Sequence, residues 1–397
     1  MAAIEKRGEH SYRLTASCGY NKDGKKITKK KTITLSPNLT EKQREKELQR
    51  QLITFQEEVS KGTYLNADNM TLEEFAYKWL ADHAEKQLEP KTIHRYREIL
   101  TTRIIPALGH LKLSKVQPTH LMDFYSNLAE DGMRLDGKPG RLSDRTILHH
   151  HRLLSSVFTA AVQWQLILHN PCTRVKSPKV AKTEARHYDE EQTETMLTLL
   201  ASEPLKYRTM INLVIFTGIR LGELVGLTWD DVNFDDKSLR IQQASQYLPG
   251  QGSFDKITKT SASQRVISLP QTIVDMLKEY KALQNQERLI LGESWHDHGR
   301  IFTQNNGKAV FPSTPSHWFK DFLRRHNLPE ITFHQLRHTN ATLLIGQGID
   351  VKTVSSRLGH ARTSTTIDIY SHALKRPDKE AAEKLDNLFN KKMPSTS

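Results

Sequence analysis

Residues 216–223 read FTGIRLGE, a short stretch that joins an apolar segment to one basic and one acidic side chain. The apolar run before it is typical of a buried helix, so the pattern predicts that Thr217 and Gly218 lie within that helix. Arg220 and Glu223 are three residues apart and are expected one turn apart on one helical face. The pair indicates an arginine that a neighbouring carboxylate holds in place.

Two motifs further along the chain add more basic groups. Residues 258–269, TKTSASQRVISL, predict a β-turn with Lys259 at its tip, followed by a strand. Residues 334–338, HQLRH, place His334 and Arg337 on one face of a predicted helix. The chain therefore supplies a lysine on a hairpin and a histidine–arginine pair on a helix.

A phenol follows these basic groups. Residues 358–360 read LGH, and Tyr370 lies ten positions after His360. A phosphodiester is a poor electrophile because its anionic oxygens repel a nucleophile, so a catalyst must neutralise charge and supply a poised oxygen. The guanidiniums of Arg220 and Arg337 suit the first task, since each offers a planar fork of donors. The phenol suits the second task, since its oxygen is more easily deprotonated than an alcohol and leaves more readily.

Taken in chain order, TGIRLGE, the KT hairpin, HQLRHT and LGHARTSTTIDIYSH resemble the tyrosine recombinase family, also called the phage integrase family. The motifs are specific as a set and cover the third predicted domain. The resemblance implies a site-specific DNA recombinase that cleaves and rejoins DNA through a 3′-phosphotyrosyl intermediate and a Holliday junction. It implies the catalytic residues Arg220, Lys259, His334, Arg337, His360 and Tyr370, and no metal or other cofactor.

The same resemblance implies a role for each side chain. Tyr370 is the nucleophile, and Lys259 is the general acid that protonates the departing 5′ oxygen. His334 assists proton transfer, and His360 donates a hydrogen bond to the phosphate. Glu223 is expected to orient the basic groups around it.

The composition points to nucleic acid as the partner. The chain has 397 residues, with 58 Lys plus Arg against 45 Asp plus Glu, and its formal net charge is +13. A strongly basic protein favours a polyanion as its partner. The two cysteines, Cys18 and Cys172, cannot build a disulfide framework or a four-cysteine zinc site. Neither a signal peptide nor a membrane-spanning segment is recognised, so a cytoplasmic protein is expected.

The chain length and the patterns along it predict a multidomain α+β protein. Residues 1–65 are predicted to form a small module of a three-stranded sheet and one helix, which resembles the arm-type DNA-binding module of integrases from conjugative transposons and temperate phages of Gram-positive bacteria. Residues 66–172 predict an all-α domain similar to the family's core-binding domain. Residues 173–187 predict a basic linker, and residues 188–397 a mostly helical mixed α/β catalytic domain that ends in an exchange helix.

Basic side chains outside the catalytic set are predicted to contact DNA. They are Arg13, Lys29, Lys31, Lys91, Arg95, Arg145, His150, Arg174, Lys176 and Lys179. The resemblance implies double-stranded DNA with core and arm sites as the partner. It also implies a homo-tetramer with exchange of the C-terminal helix, and an excisionase and a host DNA-bending protein as further partners.

Alternative interpretations remain open at this point. Lys256 could replace Lys259 as the general acid, although the spacing of the KT pair to the downstream arginine favours Lys259. His334 and His338 could share a zinc ion, although Arg337 between them would repel a cation. Rival functions are a DNA-binding regulator that retains the fold, a type IB topoisomerase, and a metal-dependent nuclease, which the missing carboxylate cluster disfavours.

Overall fold

The fold was analysed in a computed structural model, which describes residues 3–20, 25–60, 70–181, 186–257, 264–360, 362–370 and 385–386. The chain divides into two compact units, Met1–Lys182 and Thr183–Ser397. The predicted general acid Lys259 and most of the predicted exchange helix lie outside the described residues. Tyr370 is described only through its backbone.

The first unit opens with a small antiparallel sheet in the order β1-β2-β3, covered on one face by helix α1. Leu14 and Ala16 of the central strand pack on Leu52 and Phe55 of the helix. This confirms the predicted module of three strands and one helix. The elements are β1 (Ala3–Lys6), β2 (Ser11–Tyr20), β3 (Lys26–Thr34) and α1 (Glu41–Ser60).

The rest of the first unit is helical. The first of its helices, which starts at Leu72, is capped by Thr71: the Thr71 side chain accepts a hydrogen bond from the Glu74 amide, and the Glu74 carboxylate accepts one from the Thr71 amide. The last long helix ends at Gln163. Gln165 there has a φ of +56°, which no helix accommodates. The helices are α2 (Leu72–Trp79), α3 (Pro90–Ile99), α4 (Pro118–Leu128) and α5 (Asp144–Gln163); π-helical turns (Leu80–Ala84, Leu100–Ile104) and short segments (Glu85–Gln87, Ile105–Leu108) extend α2 and α3.

The predicted linker begins with an ordered turn. Pro171–Arg174 forms a 3-10 turn, and Cys172 is buried in the core of the helical domain. The side chain of Asn170 caps this turn by accepting a hydrogen bond from the Cys172 amide at 2.9 Å. Residues 176–181 have no regular secondary structure.

The second unit is mixed but mostly helical, as predicted. One large apolar core joins most of its helices to a three-stranded sheet of order β4-β5-β8, and a smaller apolar cluster contains Ala341, Ile345, Val354 and Leu358. A separate two-stranded ribbon is formed by β6 and β7. The helices are α6 (Glu190–Leu200), α7 (Leu205–Thr217), α8 (Leu221–Gly226), α9 (Gln271–Leu291), α10 (Thr314–Arg325), α11 (Phe333–Gly346), α12 (Val351–Leu358) and α13 (Thr363–Tyr370). The strands are β4 (Val232–Asn233), β5 (Ser238–Ile241), β6 (Gln243–Leu248), β7 (Gly252–Ile257) and β8 (Arg265–Ser268).

The FTGIRLGE stretch breaks its helix, and this corrects the expectation that Gly218 lies within one. Gly218 has φ 66° and ψ 19° and ends α7 as a left-handed cap. A new short helix, α8, begins after Arg220. Arg220 is therefore the residue that caps α8, and Glu223 is its third residue. The two side chains still meet, but across a helix start.

Replacing Gly218 with alanine is expected to destabilise the second unit. A Cβ atom would lie 2.6 Å from Asn340 Oδ1 and 2.6 Å from Leu358 Cδ2, and the positive φ adds about 1–2 kcal/mol of strain. The free energy of unfolding from denaturant titration measures this loss. Gly346→Ala is the matched control, since a Cβ there meets no atom within 4 Å. Equal stability of the two variants would contradict the predicted strain.

Candidate active site

Arg220 is held at the start of α8 by Glu223. The Arg220 amide donates to Glu223 Oε2 at 2.9 Å, and Arg220 Nη1 donates to Glu223 Oε1 at 2.8 Å. Arg220 Nη2 donates to the Gly359 carbonyl at 3.0 Å. The side chain keeps 37% of its surface exposed, so its guanidinium is fixed and still accessible. This geometry is consistent with the predicted role of Glu223 in orienting Arg220.

Glu223 is a buried carboxylate that serves two arginines. Its side chain is 3% exposed and also accepts a hydrogen bond from Arg265 Nη2 at 2.8 Å. Burial alone would raise the pKa of Glu223, but the hydrogen bonds and charges of Arg265, and then of Arg220, hold that pKa below its usual range. Glu223 is therefore ionised at neutral pH and balances part of the local positive charge.

Arg337, the fifth residue of α11, lies in the same cluster. It is 2% exposed, and its Nη1 donates to the Gly218 carbonyl at 2.6 Å while its Nη2 donates to the Leu358 carbonyl at 2.7 Å. Gly218 thus provides both the break before Arg220 and an anchor for Arg337. The structure brings the two predicted arginines to adjacent carbonyls, those of Leu358 and Gly359.

Three histidines surround these arginines. Burial, and then the charges of Arg337 and Arg220, lower the pKa of His334. Burial and the neighbouring charges lower the pKa of His338 and of His360 to about 4 each. The latter two imidazoles are therefore neutral at neutral pH.

Local contacts orient two of the imidazoles. His360 Nδ1 lies 2.8 Å from the Thr366 hydroxyl, which belongs to α13. The ring of His334 packs edge-on against that of His338, with 5.1 Å between ring centroids. His334 and Arg337 share a helix, as predicted, and His360 directly follows the carbonyls that anchor the arginines. Tyr370 is the last residue of α13, the helix that also carries Thr366.

The predicted DNA contacts fall into three groups. His150 is 3% exposed, and its Nδ1 lies 2.8 Å from the Thr146 carbonyl, so the prediction that it touches DNA is wrong. The reason is the helical period, which places His150 on the face of α5 that packs inward with Ile147 and Leu154. The exposed members of the predicted set are Lys91, Arg95, Arg145, Arg174, Lys176 and Lys179.

On the small sheet, the strand register places the predicted DNA-contacting residues on both faces. Lys31 pairs across the strands with Leu14 and Lys29 with Ala16, so both lysines share the face that α1 covers. Lys31 Nζ also lies 3.2 Å from Glu58 of that helix. Arg13 points to the opposite face. Contact of these three with DNA stays a prediction.

Two arginines near the site were not singled out from the sequence. Arg265, at the start of β8, bonds to Glu223, and Arg357, at the end of α12, donates through Nη2 to the Phe216 carbonyl at 2.7 Å. Arg265 stands six residues after Lys259 in the TKTSASQRVISL motif, and that spacing was the one available signal. Its partner Glu223 is 42 residues away in the chain, which no local pattern reveals.

Within the described residues, no three His, Cys, Asp or Glu side chains gather as a metal site. No helix of the described chain is both long enough and apolar enough to cross a membrane.

Comparison with known proteins extends the likeness over most of the chain. The model of the phage integrase family matches residues 186–376, and that of the phage integrase N-terminal SAM-like domain matches residues 71–129. A tyrosine recombinase of Thermosipho africanus is 30% identical over 61% of this chain and 76% of its own length. A XerC-like tyrosine recombinase of Caldanaerobacter subterraneus is 28% identical over 97% of this chain and 98% of its own length.

Solved structures share the fold. The integrase of transposon Tn1549, in complex with a circular intermediate DNA, covers 80% of this chain and all of its own at 21% identity and a TM-score of 0.64. A lambda integrase fragment bound as a dimer to a core site covers 76% of this chain and 95% of its own at 18% identity and a TM-score of 0.55. With its arginine pair, its histidines and these relatives, the chain belongs to the phage integrase family and is a tyrosine recombinase, a DNA strand transferase.

Proposed function

We propose that this recombinase integrates and excises a mobile DNA element, with Arg220 and Arg337 binding the scissile phosphate and Tyr370 attacking it. The observation that carries the proposal is the convergence of the two guanidiniums on the Leu358 and Gly359 carbonyls, directly before His360. A guanidinium pair at one point can neutralise the charge that builds up on a phosphate in the transition state.

The chemistry conserves the phosphodiester. The Tyr370 phenolate oxygen forms a bond to phosphorus while the bond from phosphorus to the 5′ oxygen breaks. The 5′ oxygen takes a proton from Lys259 and leaves as a hydroxyl, and the 3′ phosphate stays on the tyrosine. Attack by a 5′ hydroxyl of another DNA end reverses the step, so no external energy source is needed.

His360 and His334 are proposed to assist this phosphoryl transfer through a hydrogen bond and a proton transfer. If the Thr366 hydroxyl donates to His360 Nδ1, the proton of the neutral ring is on Nε2 and can be donated to a phosphate oxygen. The lowered pKa of His334 leaves that ring able to accept a proton near neutral pH. These two roles accord with the family resemblance and with the geometry around Arg337.

DNA contact by the rest of the chain rests on exposed positive charge. Lys91 and Arg95 lie on α3, Arg145 lies in the first turn of α5, and all three are exposed. Arg174 ends the 3-10 turn that follows the helices, and Lys176 and Lys179 lie on the irregular stretch after it; all three are exposed. We assign core-site binding to the helical domain and arm-site binding to the small sheet module, with Arg13 on its uncovered face.

Strand exchange between two duplexes requires four active sites. We therefore propose a homo-tetramer on DNA, in which the C-terminal residues around Leu385 dock on a neighbouring protomer. Leu385 is 57% exposed. An excisionase and a host DNA-bending protein complete the proposed set of partners, because excision and integration must be separately controlled.

A suicide substrate tests the proposed reaction. The full chain is incubated with nicked duplexes from the DNA that flanks its gene, so that cleavage releases a short fragment and traps the covalent complex. Denaturing electrophoresis followed by peptide mapping is expected to show a DNA adduct on Tyr370. Religation or recombination with no protein-linked DNA, or an adduct on another residue, would refute the assignment.

A further inference from the structure

The end of helix α12 collects three arginines from three separate elements. The carbonyls of its last residues accept hydrogen bonds as follows: Arg357 from Arg265 Nε at 2.7 Å, Leu358 from Arg337 Nη2 at 2.7 Å, and Gly359 from Arg220 Nη2 at 3.0 Å. Carbonyls at a helix C-terminus have no partner within the helix and carry its negative end. This helix end therefore attracts cations, and His360 follows it directly.

Arg265 is the member of this group that carries no catalytic role in the family resemblance. Its side chain is 6% exposed. Its Nη2 donates to Glu223 Oε2 at 2.8 Å and its Nη1 to Glu223 Oε1 at 3.3 Å, while its Nε holds the Arg357 carbonyl. One guanidinium thus contacts both the Glu223 carboxylate and the Arg357 carbonyl.

Each of these two acceptors is close to a residue that we propose acts in the reaction. Glu223 receives both the amide and the Nη1 of Arg220, so its position sets that of Arg220. The Arg357 carbonyl lies three residues before His360. A displacement of Arg265 would therefore shift both Arg220, which is proposed to bind the phosphate, and the segment before His360, which is proposed to donate a hydrogen bond to the phosphate.

We propose that Arg265 is a positioning residue of recombination. Through Glu223, it fixes the position of Arg220 relative to the segment before His360. The inference rests on the proposed function of Arg220. A guanidinium is required, because three of its donors point in fixed directions to two acceptor groups. A lysine ammonium keeps the charge, but its single nitrogen cannot span the Glu223 carboxylate and the Arg357 carbonyl in this geometry.

Arg265→Lys tests the inference in the full chain. With the nicked duplexes described above at saturating concentration, the single-turnover rate of adduct formation should fall about 100-fold, as a small misplacement of a reacting group does. DNA affinity should not change, because Arg265 is buried and the exposed basic residues supply binding. A rate within a few-fold of the unchanged chain, with the variant folded, would overturn the inference.

Arg300→Lys is the matched control for the loss of a buried arginine. Arg300 is 7% exposed in the same unit, pairs with Asp255 and donates to the Val225 carbonyl at 3.2 Å. Both variants should lower the midpoint of thermal unfolding. Only Arg265→Lys should slow adduct formation in the folded fraction, and equal slowing by both variants would reduce Arg265 to a purely structural role.

A double-mutant cycle separates positioning from general damage. In a chain that already carries Arg220→Ala, Arg265→Lys should slow the residual adduct formation much less, because one of its two targets is gone. Full additivity would contradict the link through Glu223.

If Arg265→Lys does not fold, Glu223→Gln must show slow adduct formation with normal DNA affinity, and a normal rate would overturn the link. Absence of any adduct in the unchanged chain would instead refute the proposed function.

Discussion

Replacing Tyr370 with phenylalanine is expected to abolish covalent attachment to DNA while DNA binding stays at its original strength. The substitution removes one oxygen, the atom that we propose forms the bond to phosphorus, and leaves the ring. We expect affinity to come mainly from contacts between the exposed basic residues and the DNA backbone, which this substitution does not change. Adduct formation is measured with the nicked duplexes, and affinity by titration of an unnicked duplex at fixed salt.

Tyr280→Phe is the matched control for this prediction. Tyr280 is 3% exposed in the apolar core of the same unit, with its ring 5.6 Å from that of Phe302. Loss of its hydroxyl should leave adduct formation intact. An adduct that persists in the Tyr370→Phe chain would show that another nucleophile performs the cleavage. Loss of DNA binding together with the adduct would show that the substitution acts through folding or docking.

The sequence predicted which side chains meet more reliably than how the backbone presents them. Arg220 and Glu223 form the expected pair, yet Gly218 ends one helix and Arg220 caps the next. The apolar run around this stretch continues past the break, so hydrophobic pattern alone suggests one helix. The decisive feature is the left-handed conformation of Gly218, which is stabilised by the packing of Asn340 and Leu358 around it and by Arg337 on its carbonyl.

The burial of His150 and the placement of Lys31 on the covered face of the sheet differ in whether the sequence could predict them. The burial of His150 could have been predicted, since Ile147 and Leu154 stand three and four residues away and define the inward face of α5. The placement of Lys31 on the covered face of the sheet could not. The register of β3 against β2 sets which lysines face the helix, and a slip of one residue would reverse every one of them.

The arginine cluster shows the limit of reading motifs one at a time. The motifs supply the arginines, but the carbonyls that bind them belong to the end of α12. Arg220 and Gly359, for example, are 139 residues apart in the sequence. Backbone acceptors leave no trace in residue types. The contact of Arg265 with Glu223 is therefore visible only in the folded chain.

Arg337→Ala is expected to slow cleavage about 100- to 1000-fold, the loss that follows removal of one donor to a developing oxyanion, or about 3 kcal/mol in the transition state. Arg337 is anchored by two carbonyls, so its guanidinium is already oriented before DNA arrives and no reorganisation is needed during the reaction. The same truncation removes the donor from two buried carbonyls and should also lower the free energy of unfolding by about 1–3 kcal/mol. Rates must therefore be compared on folded protein, at a temperature well below the unfolding midpoint.

Two further variants decide whether the lost rate belongs to the phosphate or to the fold. Arg300→Ala removes a similarly buried arginine that anchors the Val225 carbonyl, so it should cost comparable stability with little loss of cleavage rate. Arg337→Lys keeps the positive charge but not the planar fork, so it should recover only part of the rate. A near-normal cleavage rate in Arg337→Ala would remove Arg337 from the reaction. Equal losses in Arg337→Ala and Arg300→Ala would assign the effect to folding, because of these two arginines Arg337, and not Arg300, contacts the helix end that also anchors Arg220.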